Sequence, residues 1–296
     1  MNTIVGIIRL LLLLYFCSIV FSCSPQIDRK MGDDNLIYSD NKSVNYLEQL
    51  KNSKVSITLA TWNIGHFSMG SKPYSTIDLA SLEQKGRKYK DFINHTIRAD
   101  ILGINEYSNF FYEDNTNHIL AKSFLFDRYR DQIEGPSISY TCNSLFSNIK
   151  LKKCRSVFFK SNHDFVKDPK IYNRKTYFIE SEFFYSGKNV ILVCVHILFS
   201  SNFPNEVQQN QIKELVDYYA NKDRVIIIGD FNTRDLRQFK KNGYVTANDG
   251  SIVTYPNKKY PSDNIVAKGV NISNVYSIET DLSDHFPLVC EISITK

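Results

Sequence analysis

Apolar residues recur along this chain in two rhythms. Short runs rich in β-branched and aromatic side chains occupy residues 55–62, 101–104, 144–146, 176–184, 190–197, 225–228 and 286–294. Their lengths and composition predict strands rather than helices. Two longer stretches, 79–97 and 206–220, carry apolar residues at helical spacing. In the second, Val207, Ile212, Leu215, Val216 and Tyr219 fall on one face. Residues 178–184 and the run from 190 onward are joined by Gly187-Lys188-Asn189, which predicts a hairpin turning at the glycine. Hairpins mixed with crossover helices predict mixed sheets with helices packed on their outer faces. No Pro/Gly/Ser-rich break and no internal repeat divides residues 54–296, so a single α/β domain is expected there.

The residues ahead of that domain follow a different pattern. Residues 1–22 hold one charge, Arg9, followed by an apolar run reaching Phe21. A short positive flank before a hydrophobic stretch is the pattern of a secretory signal peptide, though the length approaches the roughly 20 residues needed to span a bilayer. Val20-Phe21-Ser22-Cys23 resembles the lipobox of bacterial lipoproteins. The resemblance implies cleavage before Cys23, lipidation of that cysteine, and a domain exported to the cell envelope and held at the outer membrane or cell surface. A plain signal peptide or an uncleaved anchor are the alternatives. Residues 23–53 are polar and predict a tether, with a short helix around 44–50.

Charge adds little. The formal net charge of +5 falls to +4 once Arg9 is removed with the signal segment, too small a bias to point to nucleic acid. The runs Lys150-Leu151-Lys152-Lys153 and Lys258-Lys259 read as solvated surface. Cys194 and Cys290 sit inside apolar runs and read as small core residues. Cys142 and Cys154 flank an apparent hairpin and could pair in an oxidising compartment, a question of geometry that sequence leaves open. No Cys/His spacing suggests zinc.

The polar residues that end the strands are more informative. Residues 55–62 run into Asn63, 101–104 into Asn105-Glu106, and 190–195 into His196. Residues 225–229 deliver Asp230 and Asn232, and Ser283-Asp284-His285 immediately precedes the last strand. Groups at the ends of strands along one rim converge on a single pocket. Singly, each has a plainer explanation as a turn residue, a solvated acid or a structural histidine.

Thr61-Trp62-Asn63-Ile64, Asn105-Glu106, Val195-His196, Gly229-Asp230-Phe231-Asn232 and Ser283-Asp284-His285-Phe286-Pro287 occur in the order and spacing of the endonuclease/exonuclease/phosphatase superfamily. The chain resembles that family, whose members include deoxyribonucleases, apurinic endonucleases, sphingomyelinases and inositol-polyphosphate phosphatases, over residues 55–296. The resemblance implies a deoxyribonuclease I-like fold, a four-layer α/β sandwich of two mixed β-sheets flanked by helices. It also implies metal-dependent hydrolysis of a phosphate ester, with Mg²⁺ or Mn²⁺ as cofactor. By the same carry-over Glu106 and Asp284 lie at the metal, Asn63 is a second contact to metal or to the substrate phosphate, Asp230 orients or deprotonates the attacking water, and Asn232 donates to the phosphoryl oxygens. His285 is the second charged or proton-transferring group. Asp263 holds it, in Ser262-Asp263-Asn264, a looser match to the family pattern for which a turn aspartate after Pro261 is the alternative. His196 either protonates the leaving group or contacts phosphate. Arg174 is a phosphate contact or a surface arginine at a strand edge, and His66 a substrate-side residue or a loop side chain. Trp62 reads as a core aromatic beneath the metal loop rather than a stacking platform.

A phosphodiester in nucleic acid or in a phospholipid head group is the expected substrate. A phosphomonoester of a sugar or inositol is the alternative, and a non-catalytic surface module the reading from another class. The basic and aromatic set that would single out nucleic acid is not legible. The expected partners are the ester substrate and, through the lipid, a membrane; nucleic acid stays open, and a monomer is expected because no interface signal is present.

Overall fold

The computed structural model describes residues 37–38, 56–67, 79–108, 110–112, 118–120, 128–137, 141–203 and 205–294. The signal segment, Cys23 and the helix expected around 44–50 lie outside the described residues. In chain order the first strands are β1 (Ile37–Tyr38), β2 (Ile57–Asn63), β3 (Ile101–Tyr107), β4 (Phe110–Tyr112), β5 (His118–Leu120), β6 (Asp131–Glu134) and β7 (Cys142–Ser147). Next come β8 (Leu151–Phe158), β9 (Tyr177–Tyr185), β10 (Lys188–His196), β11 (Val225–Asp230), β12 (Val245–Thr246) and β13 (Asp263–Lys268). The last two are β14 (Asn271–Ser277) and β15 (Leu288–Ser293). The α-helices are α1 (Leu79–Asp91), α2 (Pro169–Tyr172), α3 (Glu206–Tyr218) and α4 (Arg237–Lys241), with α1 running on into a π-helical segment at Phe92–Ile97.

These strands form two large sheets and a small β4–β5 ribbon. The first has the order β1-β6-β7-β3-β2-β15-β14, the second β12-β13-β11-β10-β9-β8. The chain therefore builds most of one sheet, crosses to build the whole of the other, and returns with β14 and β15. Each sheet contains one parallel pair, β2–β3 and β10–β11, and the remaining pairs are antiparallel. α1 lies in the crossover of the first pair and α3 in that of the second, as parallel neighbours require.

Alternation along each strand sorts the core into three apolar layers. In β11, Ile226 and Ile228 face inward between the sheets, beside Leu192 and Cys194 of β10, Leu59 of β2 and Cys290 of β15. Val225 and Ile227 face outward onto Ile212, Leu215, Val216 and Tyr219 of α3 and Phe239 of α4. On the far side Ala60, Trp62, Leu102 and Ile104 pack on Tyr89 and Ile93. Each such aliphatic side chain, fully withdrawn from water, contributes about 1.5–3 kcal/mol. The two sheets approach closely at Gly103, where a Cβ would stand 2.5 Å from Ile228. The expected four layers are thus present.

The expected hairpin is β9–β10, with Ser186 and Gly187 both at positive φ (50° and 78°), the backbone of a type I′ turn. The second apparent hairpin is not one. β7 belongs to the first sheet and β8 to the second, so residues 148–150 are the crossing between sheets. Cys142 and Cys154, which flank that crossing, are both thiols, and no disulfide joins them. β1, which falls within the stretch expected to be a tether, adds to the edge of the first sheet beside β6. Among the described residues no helix is long and apolar enough to cross a membrane.

Candidate active site

The site lies where the strands of both sheets end on one rim. β2 delivers Asn63, β3 Glu106, β10 His196 and β11 Asp230 at their C-terminal ends. β13 and β15 run the opposite way, so their N-terminal ends reach the same rim with Asp263 and, two residues before β15 closes onto β2, with Phe286 and His285. Asp263 is directly paired with Asp230, and Asp230 with His196. Asn63, Glu106, His196, Asp230 and His285 line a pocket of about 600 Å³, together with Asn232, Arg174 and Asp284.

At its floor two carboxylates share one amide. Asn63 Nδ2 donates to Glu106 Oε1 (3.2 Å) and to Asp230 Oδ2 (3.1 Å), while its Oδ1 accepts from Gly65 N (3.1 Å). That backbone donor fixes the amide with its nitrogen toward the carboxylates. Asn63 therefore ties Glu106 to Asp230 through its amide nitrogen. Gly65, His66 and Phe67 all have positive φ, and this left-handed turn brings His66 Nε2 within 2.9 Å of Glu106 Oε2. Glu106 itself sits at φ 53°, beside a break in the β3–β7 register. Strained backbone of this kind persists only where surrounding structure holds it. Burial would raise the Glu106 carboxyl, but the His66 hydrogen bond, the His196 and His66 charges and Asn63 outweigh it and bring it down to about 2. His66, whose sequence context left two readings open, is thus a partner of Glu106.

Asp230 is 1% exposed and fully engaged. Its Oδ1 accepts from Ser262 Oγ (2.5 Å) and Asn232 N (2.8 Å), and its Oδ2 lies 3.7 Å from His196 Nε2 and 3.9 Å from His285 Nε2. Burial opposes its charge, yet the His285 and His196 imidazoles, Ser262 and the Asn232 N–H hold it below the usual carboxylate range. Asn232, at φ 49°, uses one amide hydrogen on Ile197 O (2.9 Å).

His285 is clamped on every side. Its Nδ1 is 2.8 Å from Asp263 Oδ2, its backbone N donates to Ser283 Oγ (3.1 Å), and its carbonyl accepts from Trp62 Nε1 (2.9 Å). The Tyr255 ring stacks on it at 4.7 Å. Ser283 Oγ in turn donates to Asn63 O (2.8 Å), joining this turn to the end of β2. Burial works against charge on this imidazole, but Asp263, Asp230 and Asp284 overcome it and lift it to about 10. Asp263 is fully buried, and burial raises its own carboxyl. The expected carboxylate–imidazole pair is in place, and Trp62 is the buried support that the sequence suggested.

One residue of weight was not singled out from the sequence. Asn105 is fully buried between the sheets. Its Nδ2 donates to Asn143 Oδ1 (2.8 Å) and Val195 O (2.9 Å), and its Oδ1 accepts from Asp230 N (2.8 Å). A side chain of the first sheet thus fixes the backbone that carries Asp230 in the second. Gly229, at φ 149°, makes room: a Cβ there would stand 1.8 Å from Val195 O. The sequence signal of this asparagine is the pair Asn105-Glu106, in which the acid alone points to chemistry. Arg174 and Asp284 are exposed at the pocket wall, and Lys258, expected to be solvated surface, also lines it.

Ligand atoms of Asp230, Asp263 and His285 lie within 4.8 Å of one another. Asp263 Oδ2 and His285 Nδ1 are committed to each other, which leaves Glu106 as the ionised hard oxygen facing the pocket. That donor chemistry fits a small divalent cation.

Two helix-covered sheets packed face to face, with this cluster where their strands end, define a deoxyribonuclease I-like α/β sandwich. The chain belongs to the endonuclease/exonuclease/phosphatase family, matching it over residues 60–285. An endonuclease/exonuclease/phosphatase from Beutenbergia cavernae is similar in structure, with a TM-score of 0.61 at 12% identity, over 81% of this chain and 72% of the other. The human nocturnin catalytic domain with bound sulfate gives 0.56 at 18% identity, over 81% and 94%. Sphingomyelinase C from Streptomyces griseocarneus gives 0.52 at 16%, over 80% and 99%. At these identities the likenesses establish the fold. Among curated protein sequences none matches this chain. Family membership supports hydrolase chemistry on phosphate esters at the level of the superfamily.

Proposed function

We propose that this chain hydrolyses a phosphodiester, with Mg²⁺ or Mn²⁺, as an enzyme held to the cell envelope by a lipid on Cys23. The observation that carries the reading is Asp230, a buried carboxylate kept ionised between two imidazoles and bridged by Asn63 to Glu106. Hydrolysis needs a water aligned opposite the leaving oxygen and positive charge around the phosphoryl group. Asp230 Oδ2 orients that water and takes its proton as the new P–O bond forms. His285, kept charged by Asp263 behind it, neutralises the phosphoryl oxygens, and the remaining Asn232 amide hydrogen donates to them. His196 delivers a proton to the leaving oxygen as the old P–O bond breaks. Glu106 and Asp284 would hold the cation, which supplies Lewis-acid stabilisation of developing negative charge. Arg174, exposed on the pocket wall, is available to a substrate phosphate.

The lipid anchor is supported by the Val20–Cys23 pattern. The full chain is expected to hydrolyse bis-p-nitrophenyl phosphate with Mg²⁺ or Mn²⁺, to stop with EDTA, and to lose at least about 100-fold in kcat in Asp230→Asn. Equal rates for the variant and the parent would overturn the assignment. The anchoring is tested separately: Cys23→Ala should move the protein out of the membrane fraction, and retention there would refute lipidation at this cysteine.

A further inference from the structure

The pocket extends beyond the catalytic cluster to a rim that the hydrolytic reading leaves unused. Phe199, three residues past His196, lines it while 55% exposed. Tyr255 lines it from the opposite direction, and its ring stacks on His285. Between them stands Lys258, with its ammonium 5.9 Å from the Phe199 ring centre and 5.7 Å from that of Tyr255. The turn carrying Lys258 is held in place. Tyr255 and Tyr260 form a β-bridge across it, Thr254 Oγ1 accepts from Asp263 N (2.9 Å), and Thr254 O accepts from Phe286 N (2.7 Å). A line of groups therefore runs outward from the catalytic imidazole: ring, ammonium, ring.

An aromatic rim can recruit either of two kinds of ester substituent. Bare aromatic faces attract a quaternary ammonium head group through the ring quadrupole. Here a lysine ammonium already lies near both rings, so a second cation would be repelled. A flat uncharged ring has no such conflict and can stack on Phe199, while Lys258 attracts the anionic phosphate beside it.

Resting on the phosphodiesterase reading, we infer that Phe199, Tyr255 and Lys258 form a subsite for the base of a nucleotide ester and select against cationic phospholipid head groups. Phe199 supplies the stacking face. Lys258 supplies the charge that rejects choline-like groups, and Tyr255 holds it in place.

The test uses the full chain and three diesters with one leaving group: the p-nitrophenyl esters of thymidine 5′-phosphate, methyl phosphate and phosphocholine. The parent should prefer the thymidine ester to the phosphocholine ester. In Phe199→Ala the ratio of kcat/KM for the thymidine ester to that for the methyl ester should fall about tenfold, the scale of one base–aromatic stack. Lys258→Glu should raise phosphocholine turnover relative to thymidine. A parent that prefers phosphocholine, or a Phe199→Ala variant that keeps the thymidine-to-methyl ratio, would overturn the subsite. Calorimetric binding of thymidine 5′-monophosphate separates this inference from the hydrolytic one. Binding weakened about tenfold by Phe199→Ala, without turnover of any ester, upholds the subsite and refutes the hydrolysis. Asp230-dependent turnover with binding indifferent to Phe199 does the reverse.

Discussion

At the scale of single residues, the site works by opposing burial with charge. His285 would lose its proton readily in so enclosed a place, yet Asp263 against Nδ1 and Asp230 beyond Nε2 keep it protonated up to about pH 10. Because the folded-state value lies above the ordinary 6.5, this interaction stabilises the fold fully below that pH and is lost as pH rises through about 10. Glu106 shows the opposite sign. Its value of about 2 lies below the ordinary 4.5, so its contribution is complete above 4.5 and disappears as pH falls through about 2. An NMR titration of Asp263→Asn should show the His285 midpoint well below that of the parent. A midpoint still above about 9 would mean that Asp263 is not the cause.

At the scale of elements, strands are held at a set separation by a few polar struts, and Asn105 is the one that crosses between sheets. Asn105→Leu keeps the branched shape but leaves the Asp230 N–H and Val195 carbonyl without this buried partner, at about 1–3 kcal/mol each. If the strut positions Asp230, kcat should fall about 10- to 100-fold in the still-folded variant while KM stays within about threefold. A lower melting temperature with unchanged kcat would make Asn105 purely structural. This scale also shows what the sequence made legible. β2, β3, β10 and β11 lie inside their sheets, are buried on both faces and read as apolar runs, so their ends, and with them Asn63, Glu106, His196 and Asp230, were visible. β8 and β14 are edge strands with mostly exposed or half-exposed side chains, Lys152-Lys153 in one and Ser273-Asn274 in the other, and they offered no such run. β13 is buried, but Asp263-Asn264 at its start hides the Ile265-Val266 that follows, and Asp263 was placed by resemblance alone. Asn105 and the rim at Phe199 and Lys258 depend on side chains meeting across elements, and no local pattern encodes that.

At the scale of the whole molecule, each sheet contributes half of the site. Asn63, Glu106 and His285 come from the first, and His196, Asp230 and Asp263 from the second. Neither sheet alone can assemble the cluster. A chain cut after residue 270 lacks β14, β15, Asp284 and His285, and it should show no turnover together with loose packing of the first sheet by circular dichroism and proteolysis. Activity in that fragment would show that β14, β15, Asp284 and His285 are dispensable. The late return of β15 to its place beside β2 also bears on timing. His285 emerges from the ribosome only after every strand of the second sheet. Until then the growing polypeptide lacks Asp284 and His285, and the cluster on the rim is incomplete. The order of the strands along the chain therefore makes completion of the site follow completion of the second sheet.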